Sequence, residues 1–144
     1  MRRFVLILIA SASLAAVACT RQTDVFTLPQ TDADVTGAFN LTTANGRTLP
    51  YTAIVTLTEQ QEVVSDQIVI LANNTWVDST SYINTSLVDG STSTSSTASA
   101  GTYKVADGKI TFIMTQGGTT IFAGAVTGST LTVLFNGQPF VYMK

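Results

Sequence analysis

The chain has 144 residues, with seven Lys and Arg, nine Asp and Glu, and a net charge of −2 at pH 7. It contains no histidine, which excludes catalytic triads, dyads and zinc sites that require an imidazole. The few basic residues form no cluster that could neutralise phosphates, so the composition also argues against nucleic-acid binding.

The first eighteen residues are typical of an export signal. Arg2 and Arg3 precede an unbroken apolar run over residues 4–9, and mostly small residues follow up to Ala18. The apolar run is far shorter than the roughly 20 residues that a membrane-spanning helix needs. We therefore predict a signal peptide over residues 1–18, which is removed when the protein is exported to the cell envelope.

Cys19, the only cysteine of the chain, directly follows these small residues. The tetrapeptide Ala16-Val17-Ala18-Cys19 resembles the lipobox of bacterial lipoproteins, in which the cysteine sulfur receives a diacylglycerol, although Ala16 stands where Leu is usual. The resemblance implies a lipid anchor at Cys19 in a bacterial membrane, the outer membrane facing the periplasm if the cell is diderm. The alternative is cleavage after Ala18 without acylation, which would give a soluble periplasmic or secreted protein.

Two regions of different character follow the signal peptide. Residues 19–34 are polar, include Pro29 and show no period of two or 3.6 residues, which predicts a flexible linker. From residue 35 onward, short runs rich in Val, Ile, Thr, Phe and Tyr alternate with Gly, Asn and Asp. We predict one β domain over residues 35–144.

The turn residues divide this domain into hairpins. Pairs that tolerate positive φ predict tight turns at Asn45-Gly46, Asn73-Asn74, Asp107-Gly108, Gly117-Gly118, Gly128-Ser129 and Asn136-Gly137, with a weaker turn at Gln60-Gln61. Nine candidate strands lie between them, over residues 35–41, 51–59, 63–71, 75–84, 101–105, 109–115, 119–126, 130–135 and 139–143. Residues 91–100 are almost entirely Ser and Thr, and we predict a disordered loop there.

These elements predict an all-β fold. In the second half of the chain the apolar residues alternate with hydroxyl residues, as expected of strands with one buried face. Because every connection looks like a hairpin, we expect an antiparallel up-and-down meander of about eight or nine strands. Closure into a small barrel would remove the exposed sheet edges, and a two-sheet β-sandwich is the alternative.

The β domain is similar to the small lipocalin-like lipoproteins of bacteria. In that family a Gly-x-aromatic strand opens the domain, here Gly37-Ala38-Phe39, and Gly-x-Tyr hairpins close it, here Gly101-Thr102-Tyr103. Phe39 occupies the position at which true lipocalins have Trp. The resemblance implies a non-enzymatic barrel with an interior that can hold a small apolar ligand.

Five aromatic residues are candidates for the wall of a ligand cavity. They are expected to point inward, where they would serve as core packing if the barrel were filled and as ligand contacts if it held a cavity. The candidates are Phe39, Trp76, Tyr103, Phe112 and Phe122.

The acidic residues predict no catalytic or metal site. Glu59 and Glu62 flank a predicted hairpin tip, where no cleft would raise the pKa of one of them as a glycosidase pair requires. Asp32 and Asp34 lie in the linker without the further oxygen ligands of a calcium loop. We predict no catalytic residue, no metal ligand and no cofactor.

Two functions follow as hypotheses. The first is a non-enzymatic, lipid-anchored envelope protein that binds a small hydrophobic ligand inside its barrel. The second is a structural or protein-interaction module of the envelope with a packed, ligand-free core, which contacts a partner through the Ser/Thr segment or a sheet edge.

Mass spectrometry of the mature N-terminus tests the predicted anchor. We expect a chain that begins at Cys19 and carries the mass of a diacylglycerol, and a Cys19→Ser variant that lacks this mass. An unmodified cysteine at the N-terminus of the mature protein would instead support the soluble alternative.

Overall fold

The computed structural model of the chain describes residues 26–32, 34–114 and 120–144. Ten strands lie in these ranges. They are β1 (Gly37–Ala44), β2 (Arg47–Thr48), β3 (Tyr51–Val55), β4 (Glu59–Ile70), β5 (Thr75–Ser86), β6 (Thr92–Ala106), β7 (Lys109–Met114), β8 (Thr120–Thr127), β9 (Thr130–Phe135) and β10 (Gln138–Met143). Within the described ranges, no helix is long and apolar enough to cross a membrane.

Several sequence predictions fall on other residues. The signal peptide over 1–18, the lipidation site at Cys19, the linker up to residue 25 and the turn at Gly117-Gly118 all lie outside the described residues.

Eight of the ten strands form a closed antiparallel barrel. Strands β4 to β10 pair in sequence order, and β1 completes the ring because it pairs with β10 on one side and with β4 on the other. The all-β, up-and-down barrel predicted from the sequence is therefore confirmed, and the sandwich alternative is wrong. Strands β2 and β3 are additional: β2 pairs with β1, and β3 pairs with the part of β4 that extends beyond β1.

Tight turns join most of these strands. Both central residues have positive φ at Asn45-Gly46 (49° and 75°), Asp107-Gly108 (52° and 68°) and Asn136-Gly137 (51° and 76°). Such turns match the right-handed twist of paired strands, and Asn, Asp and Gly reach positive φ at low cost. These three predicted turns are confirmed.

The turn predicted at Gln60-Gln61 is wrong. Both residues lie inside β4, and the chain reverses instead over residues 56–58. The Thr56 hydroxyl accepts hydrogen bonds from the backbone N–H groups of Thr58 (3.3 Å) and Glu59 (2.9 Å), which supplies the turn chemistry that a Gln pair lacks.

The disordered loop predicted over residues 91–100 is also wrong. Residues 92–100 belong to β6, which pairs with β5 from Thr75↔Thr102 to Thr85↔Thr92. This hairpin extends past the rim of the barrel, so both of its faces meet solvent and neither needs apolar side chains. Threonine has a high strand propensity. Polar side chains also pair across the two strands, since the Asn84 amide donates to the Ser95 hydroxyl (2.9 Å).

The last part of the predicted linker is packed against the barrel. The backbone N–H of Thr31 donates to the Gly108 carbonyl (2.8 Å), and that of Asp32 donates to the Val126 carbonyl (2.7 Å). The Asp32 carboxylate in turn accepts a hydrogen bond from the backbone of Gly128. The N-terminal segment therefore lies at the end of the barrel that carries the β6–β7 and β8–β9 turns, which we call the tether end, and the opposite end we call the mouth.

Trp76 illustrates how the core depends on a close backbone approach. Its indole lies across β6 at Gly101, and its Nε1–H donates to the Thr102 carbonyl (3.0 Å). A Cβ at Gly101 would collide with the carbonyl of Ile113 and would lie 2.9 Å from the indole nitrogen. Glycine is required here because the indole and β7 leave no room for a side chain.

We predict that Gly101→Ala lowers the free energy of unfolding by at least about 2 kcal/mol, because the added methyl must displace a backbone or the indole. Thr102→Ala, an exposed neighbour in the same strand, is the control and should cost less than about 1 kcal/mol. Urea unfolding followed by tryptophan fluorescence measures both. Equal losses in the two variants would contradict the packing argument.

Candidate functional site

An aromatic cluster lies inside the barrel on β5, β7 and β8. Trp76 meets Phe112 edge to face, with ring centroids 5.7 Å apart, and meets Phe122 at 5.4 Å. Phe112 and Phe122 stack at 4.9 Å. The register explains the cluster, because Phe112 and Phe122 are directly opposite each other on β7 and β8. Three of the five predicted candidates are thus brought together.

The other two candidates lie elsewhere in the core. The Tyr103 hydroxyl donates to the Leu71 carbonyl (2.9 Å), which fixes this side chain beside the β4–β5 turn. Phe39 is fully buried on β1, and the Lys144 ammonium lies 5.1 Å from the centre of its ring. Neither residue lines the interior cavity described next.

A cavity of about 110 Å³ lies between the aromatic cluster and the mouth. Its wall is apolar apart from one carboxyl and two hydroxyls. The lining residues are Ile68, Trp76, Asp78, Ser99, Met114, Thr120, Phe122 and Phe135. Trp76 and Phe122 are therefore the two predicted residues that reach it, while Phe112 packs against both rings without lining the cavity.

A larger groove opens to solvent at the mouth. It measures about 400 Å³ and is lined by residues that include Arg47, Tyr51, Phe135 and Phe140. The aromatic cluster continues into this groove through Phe135. The centroid of its ring lies 4.8 Å from that of Phe122 and 5.0 Å from that of Phe140. Phe135 thus forms part of the wall of both spaces and separates the interior cavity from the groove.

Two carboxyl groups lie inside the barrel next to the cavity. Asp66 on β4 and Asp78 on β5 are diagonal neighbours on the inner face, because Asp66 pairs with Thr80 and Ile68 pairs with Asp78. Their atoms Asp66 Oδ1 and Asp78 Oδ1 are buried, and as carboxylates both would lack a hydrogen-bond donor. A proton on one of the two carboxyls supplies the missing hydrogen bond between them.

The raised pKa of Asp78 indicates that the pair holds a proton at neutral pH. Burial, a hydrogen bond to Asp66 and repulsion by the Asp66 charge raise the pKa of Asp78 from 3.8 to about 8, against smaller opposing effects of Ser79 and Thr80. At neutral pH one proton therefore lies between the Asp78 and Asp66 carboxyls. The two groups act as one coupled pair that shares a proton.

The Tyr142 hydroxyl contacts the pair, and Tyr51 is near enough to Asp66 to be affected by its charge. The Tyr142 hydroxyl on β10 donates to Asp66 Oδ2 (2.9 Å), and the ring is 1% exposed. Burial is the main cause that raises the pKa of Tyr142, followed by the nearby Asp66 charge. Burial and Asp66 also raise the pKa of Tyr51 on β3, which is near enough to Tyr82 to be affected by it. Both tyrosines therefore stay neutral, and Tyr142 donates to the carboxyl pair.

The other acidic residues form no comparable site. Glu59 and Glu62 are three positions apart on β4, so they point to opposite faces of the sheet. Asp34 accepts hydrogen bonds from the backbone and hydroxyl of Thr36, and Asp32 binds the β8–β9 turn. In the described part of the chain no three acidic or sulfur ligands converge as a metal site would require.

The carboxyl pair was missed by the sequence predictions. The signal that could have revealed it is parity: Asp66 alternates with the buried Ile68 and Ile70, and Asp78 follows Trp76 by two residues. A carboxyl on the apolar face of each strand is therefore visible in the sequence. That the two approach each other depends on the β4–β5 register, which local patterns do not define.

Comparisons with protein-family models, curated proteins and solved structures found no match to this chain.

The carboxyl pair predicts a stability that decreases with pH. Between about pH 4 and pH 8 the folded state keeps a proton on Asp78 that the unfolded chain has already lost, so the free energy of unfolding falls as the pH rises through this range. The absence of histidine leaves few other groups that titrate between pH 5.5 and 8.5.

We predict that Asp78→Asn removes this slope and melts about 3–6 °C above the parent protein at pH 8.5, which corresponds to roughly 1 kcal/mol. Asp107→Asn is the matched control, since Asp107 is exposed in the β6–β7 turn at a φ of 52° that Asn tolerates. Thermal unfolding at several pH values measures the slopes. A slope that Asp78→Asn leaves intact would contradict the assignment.

Proposed function

We propose that this protein is a non-enzymatic, lipid-anchored barrel of the bacterial envelope that binds a small hydrophobic ligand in its interior, as the resemblance to lipocalin-like lipoproteins implies. The observation that carries the proposal is the apolar cavity of about 110 Å³ beside Trp76 and Phe122. Protein cores pack to near crystalline density and leave few voids larger than a water molecule. This partly open apolar space among aromatic rings favours a ligand over a filled core.

The cavity volume limits the size of the ligand. It is somewhat smaller than the roughly 150 Å³ cavity that holds benzene in an engineered core, so about four to six non-hydrogen atoms fit. Larger pockets of 300–1,000 Å³ are usual for drug-sized molecules. The proposed ligand is accordingly a small molecule, or the small end of a longer one that continues into the groove past Phe135.

The positions of the N-terminal segment and the cavity along the barrel fit a membrane-anchored binding protein. The N-terminal segment packs at the tether end, through Thr31 and Asp32. The cavity lies toward the mouth, beside Met114 and Phe135, at the ends of β7 and β9. A lipid on Cys19 would therefore hold the tether end near the membrane and leave the mouth facing the aqueous compartment.

A second candidate function is supported by the tip of the sheet that extends beyond the barrel. Leu57 and Val88 are 99% and 77% exposed there, and Ile54, Val55 and Leu87 are exposed beside them. The two hairpin tips touch, since the Leu87 N–H donates to the Thr58 carbonyl (2.8 Å). Clustered exposed aliphatic side chains are typical of interaction surfaces, so this patch favours a protein-interaction module.

Fluorescence titration tests the ligand-binding proposal, because Trp76 is the only tryptophan and lies in the cavity wall. We use isopentanol, a neutral molecule with six non-hydrogen atoms, as the probe. We expect a saturable change with a Kd on the order of 1 mM. Ser99→Leu should abolish it, because the larger side chain fills the cavity.

Ala98→Leu is the matched control. Ala98 precedes Ser99 on β6 and is exposed on the outer face, so the same side chain added there should leave binding unchanged. No saturable change in the parent protein, or equal loss in both variants, would contradict binding in the cavity and would favour the interaction module.

A further inference from the structure

We infer that the ligand of this cavity is a small aliphatic amine in its protonated form, with the ammonium group against the Asp78 carboxyl and the alkyl group against the aromatic rings. This inference rests on the proposed function and specifies its ligand class. It depends on three features of the described structure: the charge of the interior, the composition of the cavity wall and two buried carboxyl oxygens that have no donor but their shared proton.

The interior carries negative charge with no internal cation. Asp66 and Asp78 lie on the inner face of β4 and β5, whereas the four basic residues of the described ranges, Arg47, Lys104, Lys109 and Lys144, are all exposed. A buried charge without a partner is costly, and proteins normally pair it. A cationic ligand would supply the partner that the described part of the chain does not.

The cavity wall combines a carboxyl with aromatic faces. Asp78 lies in the same wall as Trp76, Phe122 and Phe135. Aromatic rings attract ammonium groups through their quadrupoles, most strongly where water is excluded, and Trp is the most effective ring. The same rings bury the alkyl part of the ligand, so one wall suits both ends of an aliphatic amine.

In the described part of the chain, the two buried oxygens have no hydrogen-bond donor other than their shared proton. Asp66 Oδ1 and Asp78 Oδ1 share one proton between them. The Tyr142 hydroxyl donates its hydrogen bond to the other oxygen of Asp66, Oδ2. A primary ammonium group has three N–H donors and no acceptor. The ammonium group can therefore replace the shared proton at Asp78. That proton leaves to solvent as the cation enters, so binding of the amine releases one proton.

This exchange makes amine binding dependent on pH. The titratable groups that interact with Asp78 are Asp66 on β4 and Tyr142 on β10, and Tyr51 on β3 interacts in turn with Asp66 and with Tyr82 on β5. The proton on Asp78 competes with the ammonium group at low pH. An alkylamine keeps its own proton up to about pH 10, as a lysine side chain does. Binding should therefore be tighter at pH 9 than at pH 6.

The test compares isopentylamine with isopentanol, which have the same shape and size and differ in charge. Trp76 fluorescence is followed for each ligand at pH 6 and pH 9. In the parent protein we expect the amine to bind at least 10-fold more tightly than the alcohol at pH 9. At pH 6 the difference in affinity between the two ligands should be smaller. Asp78→Asn should weaken binding of the amine at least 10-fold more than it weakens binding of the alcohol.

Controls separate this inference from the proposed function. Asp107→Asn, an exposed carboxyl removed by the same substitution, should leave both ligands unchanged. At pH 9, where the proton no longer competes, Asp66→Asn should also weaken binding of the amine selectively, which supports the pair rather than Asp78 alone. If neither ligand binds, the proposed function fails. If the alcohol binds as tightly as the amine, or Asp78→Asn does not discriminate between them, the cavity binds ligands but the amine assignment is wrong.

Discussion

The architecture depends on the divided pairing of β1. Its first half, from Gly37 to Asn40, pairs with β4, and its second half, from Asn40 to Ala44, pairs with β10. Asn40 belongs to both ladders, and its side-chain oxygen accepts a hydrogen bond from Gln67 (2.9 Å). Without this strand the meander would have two free edges and no interior. The closed core, the cavity and the mouth all follow from this closure.

The same pairing explains why the sheet extends further beyond the barrel at β4, β5 and β6. Strand β4 has 12 residues but pairs with β1 only over its last four, so β3 takes the place of β1 along its first part. Strands β5 and β6 extend equally far. This part of the sheet has solvent on both faces, which accounts for its Ser and Thr composition. It also brings Tyr51 of β3 over the mouth, next to Phe140 (6.4 Å).

The interior combines a stable core with a site that opposes stability. The aromatic rings from Trp76 to Phe140 form a continuous apolar band. Asp66 and Asp78 lie beside that band, where burial penalises ionisation and one carboxyl must keep its proton. A filled barrel could replace this pair with apolar residues at no loss of stability. Conflicts of this kind with local folding rules are found mainly at functional sites.

The sequence by itself determined the all-β class, most of the strands, the positions of the Asn-Gly and Asp-Gly turns and the inward face of the second half, but it left a barrel and a sandwich as alternatives and missed the strand over residues 92–100. The features that it determined depend on short-range preferences: φ at the turns and the alternation of side chains along a strand. Only the tertiary structure decided which predicted aromatics meet, with Trp76 beside Phe122 and Phe39 apart, and that Asp66 approaches Asp78. Those outcomes depend on strand register and on the volume left between side chains. Both are set jointly by residues far apart in the chain, so no local pattern encodes them.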